Sequence, residues 1–183
     1  MSVFPKPYAD LVARLRVTCG FILVAAFAWF SRPDAQSLAW GLPVSVLGLA
    51  LRAWATGHVE KNMRLAQSGP YAYVRNPLYL GTLIVAAGFA IASRQWGLAI
   101  LFAIVFLFIY LPAIELEEQH LRKLFPEFAA YAERVPALFP TLRPQNRPEH
   151  FRWSLYVRNR EYQALLGFLI GAAFLIFRAA NRQ

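Results

Sequence analysis

The sequence predicts an all-α, polytopic membrane protein with about five transmembrane helices. Of its 183 residues, 58% are hydrophobic and 15% aromatic, with a mean hydropathy of +0.39, which is too apolar for a soluble domain of this size. Five apolar runs approach the roughly 20 residues that a spanning helix needs. The basic residues are spread over the connecting segments and do not gather in one soluble module.

The apolar runs place the helices one by one. Residues 11–16 extend the first run at its start, and their arginines reach the lipid headgroups. In the second run, Gly41 and Gly48 are seven residues apart, so they share a helix face that allows a neighbour to approach closely. Only two residues join the third and fourth runs, which predicts a helical hairpin over residues 78–114. The expected spans are residues 11–30, 38–56, 78–93, 96–114 and 162–177.

From Glu115 onward the pattern becomes that of a cytoplasmic amphipathic helix. Apolar residues recur at spacings of three and four, with charged residues between them. Pro126 is expected to kink or restart this helix, and four later prolines should keep the next segment extended. The apolar positions are Leu121, Leu124, Phe125, Phe128, Tyr131, Ala132 and Val135, and the later prolines are Pro136, Pro140, Pro144 and Pro148.

The distribution of charge favours a membrane topology over nucleic-acid binding. The chain has 19 Lys and Arg against 10 Asp and Glu, and five spans put most of the basic residues on one side. The positive-inside rule then places the amino terminus and the polar loop of residues 57–75 in the cytoplasm. We therefore expect a bacterial inner-membrane protein without a nucleic-acid partner. The single cysteine, Cys19, excludes an internal disulfide, and the three histidines are too far apart to predict a local metal site.

Chemistry is expected in the polar stretch from Ser68 to Gly81. Pro70 and Pro77 prevent one unbroken helix here, because proline removes a backbone donor and restricts the residue before it. At a membrane boundary, such irregular polar backbone persists only where protein or a water-filled cavity satisfies it. The stretch therefore predicts a ligand pocket.

This stretch is the first half of a two-part pattern. It reads Gly-Pro-Tyr at 69–71 and Arg-Asn-Pro-Leu-Tyr-Leu-Gly at 75–81, and the second half reads Glu-Glu at 117–118 and Tyr-x-x-Arg-Val-Pro at 131–136. The joint pattern closely resembles the isoprenylcysteine carboxyl methyltransferase and phospholipid N-methyltransferase superfamily. Members of that superfamily carry G-x-Y, then R-H-P-x-Y-x-G, a helical hairpin, E-E and a Y-x-x-R-V-P tail.

The resemblance implies an S-adenosylmethionine-dependent methyltransferase that modifies an oxygen, nitrogen or sulfur of an amphiphilic or lipid-like acceptor. It covers about residues 57–140, which would form the core between a two-helix membrane region at 1–56 and a linker with a last helix at 141–183. The implied pocket opens at the cytoplasmic membrane edge. The implied cofactor-binding residues are Met63, Arg64, Leu65, Ala66, Tyr71, Asn76, Pro77, Leu78, Tyr79 and Glu117, and the implied catalytic residues are Arg75, Asn76, Tyr79 and Glu117.

The residue types agree with the chemistry of this cofactor. A sulfonium suits the faces of tyrosine rings, a carboxylate suits arginine, and an ammonium suits a glutamate. Each assignment also has a structural alternative. Glu117 lies on the apolar face, four residues before Leu121, and could instead pair with Arg75. Arg75 could serve only as a headgroup anchor, Glu118 should form a surface pair with Arg122, and the tyrosines could belong to an interfacial belt.

Two departures from the superfamily pattern limit the substrate and the mechanism. Asn76 replaces the usual histidine, so a proton acceptor must be found elsewhere. Ala113 stands where prenylcysteine enzymes have an arginine, which argues against a prenylcysteine substrate. Two alternative functions remain: an NADPH-dependent membrane reductase of the sterol reductase type, and a non-catalytic membrane scaffold. Gly167 and Gly171 predict close helix packing or a homodimer.

Overall fold

The computed structural model describes residues 6–142 and 149–181, and within these ranges the chain is helical without a β-strand. This confirms the all-α prediction. The expectation of an extended backbone at Pro144 and Pro148 lies outside the described residues. The helices are α1 (Lys6–Phe30), α2 (Ala35–Thr56), α3 (Pro77–Ser93), α4 (Trp96–Val105), α5 (Leu111–Leu124), α6 (Phe128–Arg134), α7 (Trp153–Arg158) and α8 (Tyr162–Ala180).

Several of these helices identify a membrane protein by their length and composition. Three are long and apolar enough to cross a bilayer: Ala35–Thr56, Trp96–Leu124 and Tyr162–Ala180. Two shorter apolar helical stretches are Thr18–Phe30 and Pro77–Ser93. All five lie where the sequence analysis expected a span.

Helices α2 and α3 form a close pair, as the glycine spacing predicted. Gly41 faces Gly88, and Gly48 faces Gly81. A Cβ on Gly48 would come within 2.6 Å of the Gly81 carbonyl oxygen, so the backbones are too close for any side chain. The hairpin after α3 turns at Arg94, which adopts a left-handed conformation with φ 52°.

The helix after this hairpin does not end where the hydrophobic run ends. Helix α4 continues through a π-helical turn, Phe106–Tyr110, into α5, so the backbone is helical from Trp96 to Leu124. The sequence analysis separated a span ending at Ile114 from an amphipathic helix beginning at Glu115. At that boundary the side chains change from apolar to polar, but the helical backbone hydrogen bonding continues. Polar residues such as Glu, Gln, Lys and Arg are good helix formers, so the change in polarity does not end the helix.

A second helix follows Pro126, as predicted. Phe128, Tyr131 and Val135 form a buried cluster, and Leu65 of the polar loop packs against it. The apolar face of the amphipathic segment therefore packs against the polar loop and holds it next to α5 and α6.

The last helix is held to the α2–α3 pair by a buried ion pair. Arg52 Nε donates to Glu161 Oε1 at 2.6 Å, and Nη2 donates to Oε2 at 3.0 Å. Arg52 Nη1 also donates to Thr82 Oγ1 and to the Leu78 carbonyl oxygen. Glu161 is 6% exposed, so three helices meet at one desolvated pair that orients the start of α8.

Candidate active site

The first half of the sequence pattern forms a compact turn before α3. Gly69 has φ +57° and Pro70 follows it, which starts a short 3₁₀ turn over Gly69–Ala72. Pro77 is the first residue of α3, a position where its missing N–H costs little. The Tyr131 hydroxyl donates to the Tyr71 carbonyl oxygen at 2.7 Å, so the second half of the pattern supports the first.

The segment after α6 runs alongside this turn. The backbone N–H of Arg75 donates to the Pro136 carbonyl oxygen at 2.8 Å. The backbone N–H of Asn76 donates to the Ala137 carbonyl oxygen at 3.1 Å. Further along, the Thr141 amide donates to the Tyr73 carbonyl oxygen at 2.9 Å. The backbone polar groups of these two irregular segments thus satisfy each other's hydrogen bonds.

Arg75 joins the two halves of the pattern through Glu118. Its Nε and Nη2 donate to the two Glu118 carboxylate oxygens at 3.0 and 2.9 Å, and its Nη1 donates to the Ala132 and Val135 carbonyl oxygens. The expected surface pair between Glu118 and Arg122 is wrong, as is the alternative pair between Arg75 and Glu117. Adjacent residues on a helix point about 100° apart, and the rotation of α5 turns Glu118 toward the loop.

Glu117 occupies the exposed side of the same turn. Its Oε2 accepts a hydrogen bond of 3.0 Å from the Tyr79 hydroxyl. The expectation that Glu117 lies on the apolar face is wrong, because this carboxylate is exposed. Asn76 is buried, and its amide nitrogen donates to Glu118 Oε1 at 2.8 Å and to the Ala137 carbonyl oxygen at 3.2 Å.

A cavity of about 250 Å³ lies between the loop and helices α5 and α6. This is the order of size of a small-molecule pocket. Met63 is outside the wall, and its side chain is 71% exposed. The predicted site residues that line the cavity are Arg64, Leu65, Ala66, Tyr71, Arg75, Asn76, Pro77, Leu78, Tyr79 and Glu117.

Comparison with known proteins gives the same family as the sequence pattern. Residues 39–127 match the family model described as phospholipid methyltransferase. The nickel-cobalt-cadmium resistance protein NccN of Alcaligenes xylosoxydans xylosoxydans is 31% identical over 150 residues, which cover 75% of this chain and 70% of that protein. The chain belongs to the phospholipid methyltransferase family.

A second relative is the cobalt-zinc-cadmium resistance protein CzcN of Cupriavidus metallidurans. It is 34% identical over 137 residues, which cover 69% of this chain and 62% of CzcN. The chain therefore spans less than two thirds of the length of this relative. No solved structure matches the chain.

In this member of the phospholipid methyltransferase family, the cavity also contains residues that the sequence analysis did not assign. Glu60, Lys61, Glu118 and His120 line its wall. The signal for His120 was present, since it follows Glu117 by three residues and so shares its side of the helix. The sequence reasoning missed it because it considered His120 only as a possible metal ligand. Among the described residues, no group of three or more His, Cys, Asp or Glu could hold a metal ion.

Burial raises the pKa of two tyrosines near the cavity. Burial, and next the negative charge of Glu117, raises the pKa of Tyr71 far above its usual value. Burial likewise raises the pKa of Tyr131. Both phenols are therefore neutral at physiological pH and act as hydrogen-bonding groups.

The Tyr71 side chain is 7% exposed, yet its hydroxyl forms no hydrogen bond within the described ranges. Among the buried side-chain polar atoms of residues 6–142 and 149–181, only Ser31 Oγ is both sealed from solvent and without a hydrogen bond. The Tyr71 hydroxyl is therefore not fully sealed from solvent, and this residue lines the cavity. A hydroxyl without a protein partner, on a residue that lines a cavity, can form a hydrogen bond with a ligand there.

Proposed function

We propose that this protein is an S-adenosylmethionine-dependent methyltransferase of the membrane that acts on an amphiphilic or lipid-like acceptor. The observation that carries the proposal is a cavity lined by both halves of the family pattern, which the hydrogen bond between Tyr79 and Glu117 links. The pattern residues are thus neighbours around one space of ligand size.

The residues around the cavity fit the cofactor group by group. Tyr71 and Tyr79 offer ring faces to a cationic sulfur, and Glu117 offers a carboxylate to an ammonium. Lys61 lines the cavity and forms no ion pair within the described chain, so we assign it to the cofactor carboxylate. When bound, S-adenosylmethionine supplies a methyl group on a positively charged sulfur.

Arg75 is better assigned to positioning than to the cofactor carboxylate. Four of its five N–H groups are engaged by Glu118, Ala132 and Val135. Through these bonds it holds the loop against the tail and fixes Asn76 at the cavity wall. Methyl transfer depends mainly on alignment and on exclusion of water, and we assign to this network the alignment of the cavity wall.

We propose the five-span topology as the setting of this reaction. The two shorter apolar helices would complete a set of five with the three long ones. The cavity would then open toward the cytoplasm of a bacterial inner membrane, so that the soluble cofactor enters from water and the acceptor from the bilayer. The two relatives are named for metal resistance. If this protein also contributes to metal resistance, we propose that the contribution comes from the acceptor molecule that it methylates.

Calorimetric titration of the detergent-purified protein separates the candidate functions. The methyltransferase binds S-adenosylhomocysteine, and Glu117→Gln weakens this binding. A reductase of the sterol reductase type binds NADPH instead, and a scaffold binds neither, so either result would overturn the proposal. A lipid extract incubated with protein and methyl-labelled cofactor then identifies the acceptor by a mass gain of one methyl group.

A further inference from the structure

The proposed reaction needs a group that accepts a proton whenever the acceptor atom carries one. General bases are most often histidine or carboxylate side chains within reach of the reacting atom. Asn76, which stands where the superfamily has histidine, cannot serve because an amide is not basic. The base must therefore come from the other titratable groups that line the cavity.

The carboxylates of the cavity are already engaged. Glu118 accepts three hydrogen bonds, two from Arg75 and one from Asn76. Glu60 pairs with Arg64 and Arg152. Glu117 accepts from Tyr79 and is the group assigned to the cofactor ammonium. Each of these carboxylates therefore already has a hydrogen-bond or ion-pair partner.

His120 is the uncommitted base of this cavity. It lies on α5 one turn after Glu117, lines the cavity, and is exposed. Within the described ranges it forms no hydrogen bond and no ion pair. His58 differs in every respect: it is buried, and its ring nitrogens lie 2.9 Å from the Trp54 carbonyl oxygen and 3.3 Å from that of Glu149.

We propose that His120 is the general base of the methyl transfer, an inference that rests on the proposed function. The acceptor heteroatom forms its bond to the methyl carbon as the carbon–sulfur bond breaks, with the electron pair staying on sulfur. The proton of the acceptor passes to a ring nitrogen of His120 and then to solvent, which the exposed imidazole reaches directly.

The surroundings of His120 contain charges of both signs. The charged groups that share its cavity are Glu60, Lys61, Arg64, Arg75, Glu117 and Glu118. Glu60 and Glu118 form ion pairs, and Glu117 accepts a hydrogen bond from Tyr79. Lys61 is the cation assigned to the cofactor. Neutral imidazole is the form that accepts a proton.

Chemical modification tests the location without any acceptor. Diethylpyrocarbonate is added to the purified full-length protein, and carbethoxylation of each histidine is followed by mass spectrometry. S-adenosylhomocysteine slows modification of His120 at least tenfold and leaves that of His150 unchanged, since His150 is also exposed but is outside the cavity. If the ligand binds and His120 stays fully reactive, the proposal is overturned while the proposed function stands. If the ligand does not bind at all, the proposed function itself fails.

The role as base is tested in the lipid-extract assay. His120→Ala retains its affinity for S-adenosylhomocysteine within about twofold, and methyl transfer falls by about 10²- to 10⁴-fold. Added imidazole restores part of the rate, which a merely structural role would not allow. Equal rates and equal pH profiles for the wild type and His120→Ala would overturn the assignment.

Discussion

The Tyr79 hydroxyl on α3 donates a hydrogen bond of 3.0 Å to Glu117 Oε2 on α5, across 38 residues of sequence. The continuous helix from Trp96 to Leu124 makes this contact possible, because it carries Glu117 back from the hairpin toward the start of α3. Both side chains line the cavity.

Loss of either partner should weaken binding of S-adenosylhomocysteine. We expect Tyr79→Phe and Glu117→Gln each to raise the Kd about tenfold or more, because a hydrogen bond to a charged group contributes roughly 1.5–3 kcal/mol. Calorimetry measures the change. Tyr73→Phe and Glu133→Gln are matched controls outside the cavity, and an equal loss in the controls would contradict the assignment.

The pair of Arg75 and Glu118 should stabilise the fold. Both side chains are mostly buried, at 14% and 13% exposure, and removal of one partner from a buried pair typically costs about 3–5 kcal/mol. We expect Arg75→Met to lower the thermal unfolding temperature in detergent markedly. The exposed Lys123→Met should leave it unchanged.

A double-mutant cycle separates the interaction energy of Arg75 with Glu118 from the contributions of their other contacts. Arg75→Met and Glu118→Gln in combination should cost less than the sum of the single changes, with a coupling of about 0.5–3 kcal/mol. Strict additivity would show that the two groups do not interact in solution. Thermal unfolding of the four variants gives the result.

Glycine substitutions should distinguish the packed face of α2 from an open helix surface. Gly48→Ala places a Cβ 2.6 Å from the Gly81 carbonyl oxygen, so the helices must move apart. We expect a loss of about 1–3 kcal/mol. Gly167→Ala is the control, because nothing lies within 4 Å of its added Cβ; a similar loss in both variants would contradict the close pairing. Unfolding in detergent measures both.

The contribution of Glu149 should depend on pH. Burial alone would raise its pKa, but hydrogen bonds from Arg64 and Ser68 outweigh this effect and hold the pKa below its ordinary value of 4.5. A lowered pKa means that the stabilisation is complete above 4.5 and disappears as pH falls through the folded-state value. Glu149→Gln should therefore be less stable than the wild type at pH 7, and the difference should vanish in acid. A constant difference from pH 7 to pH 3 would contradict this assignment.

Much of the fold could be predicted because it follows from local patterns. The glycine spacing of α2 predicted the close helix pair, and Pro126 predicted the break before α6. The continuation of the fourth helix past Ile114 to Leu124 could not be predicted from hydropathy, because a helical backbone continues across a change from apolar to polar side chains. Nothing local identified Glu161 as the partner of Arg52, since 109 residues separate them.

The sequence by itself determined that the chain is helical, apolar enough for a membrane, and marked by two polar patterns on either side of a hairpin. Only the tertiary structure decided which residues of those patterns contact each other. Glu118 points inward to Arg75, Glu117 contacts Tyr79, and His120 lines the same cavity. The reason is geometric. Spacing along a helix tells which residues share a side, but the rotation of α5 against the loop is set by packing around Phe128 and Tyr131, which lie beyond the end of that helix.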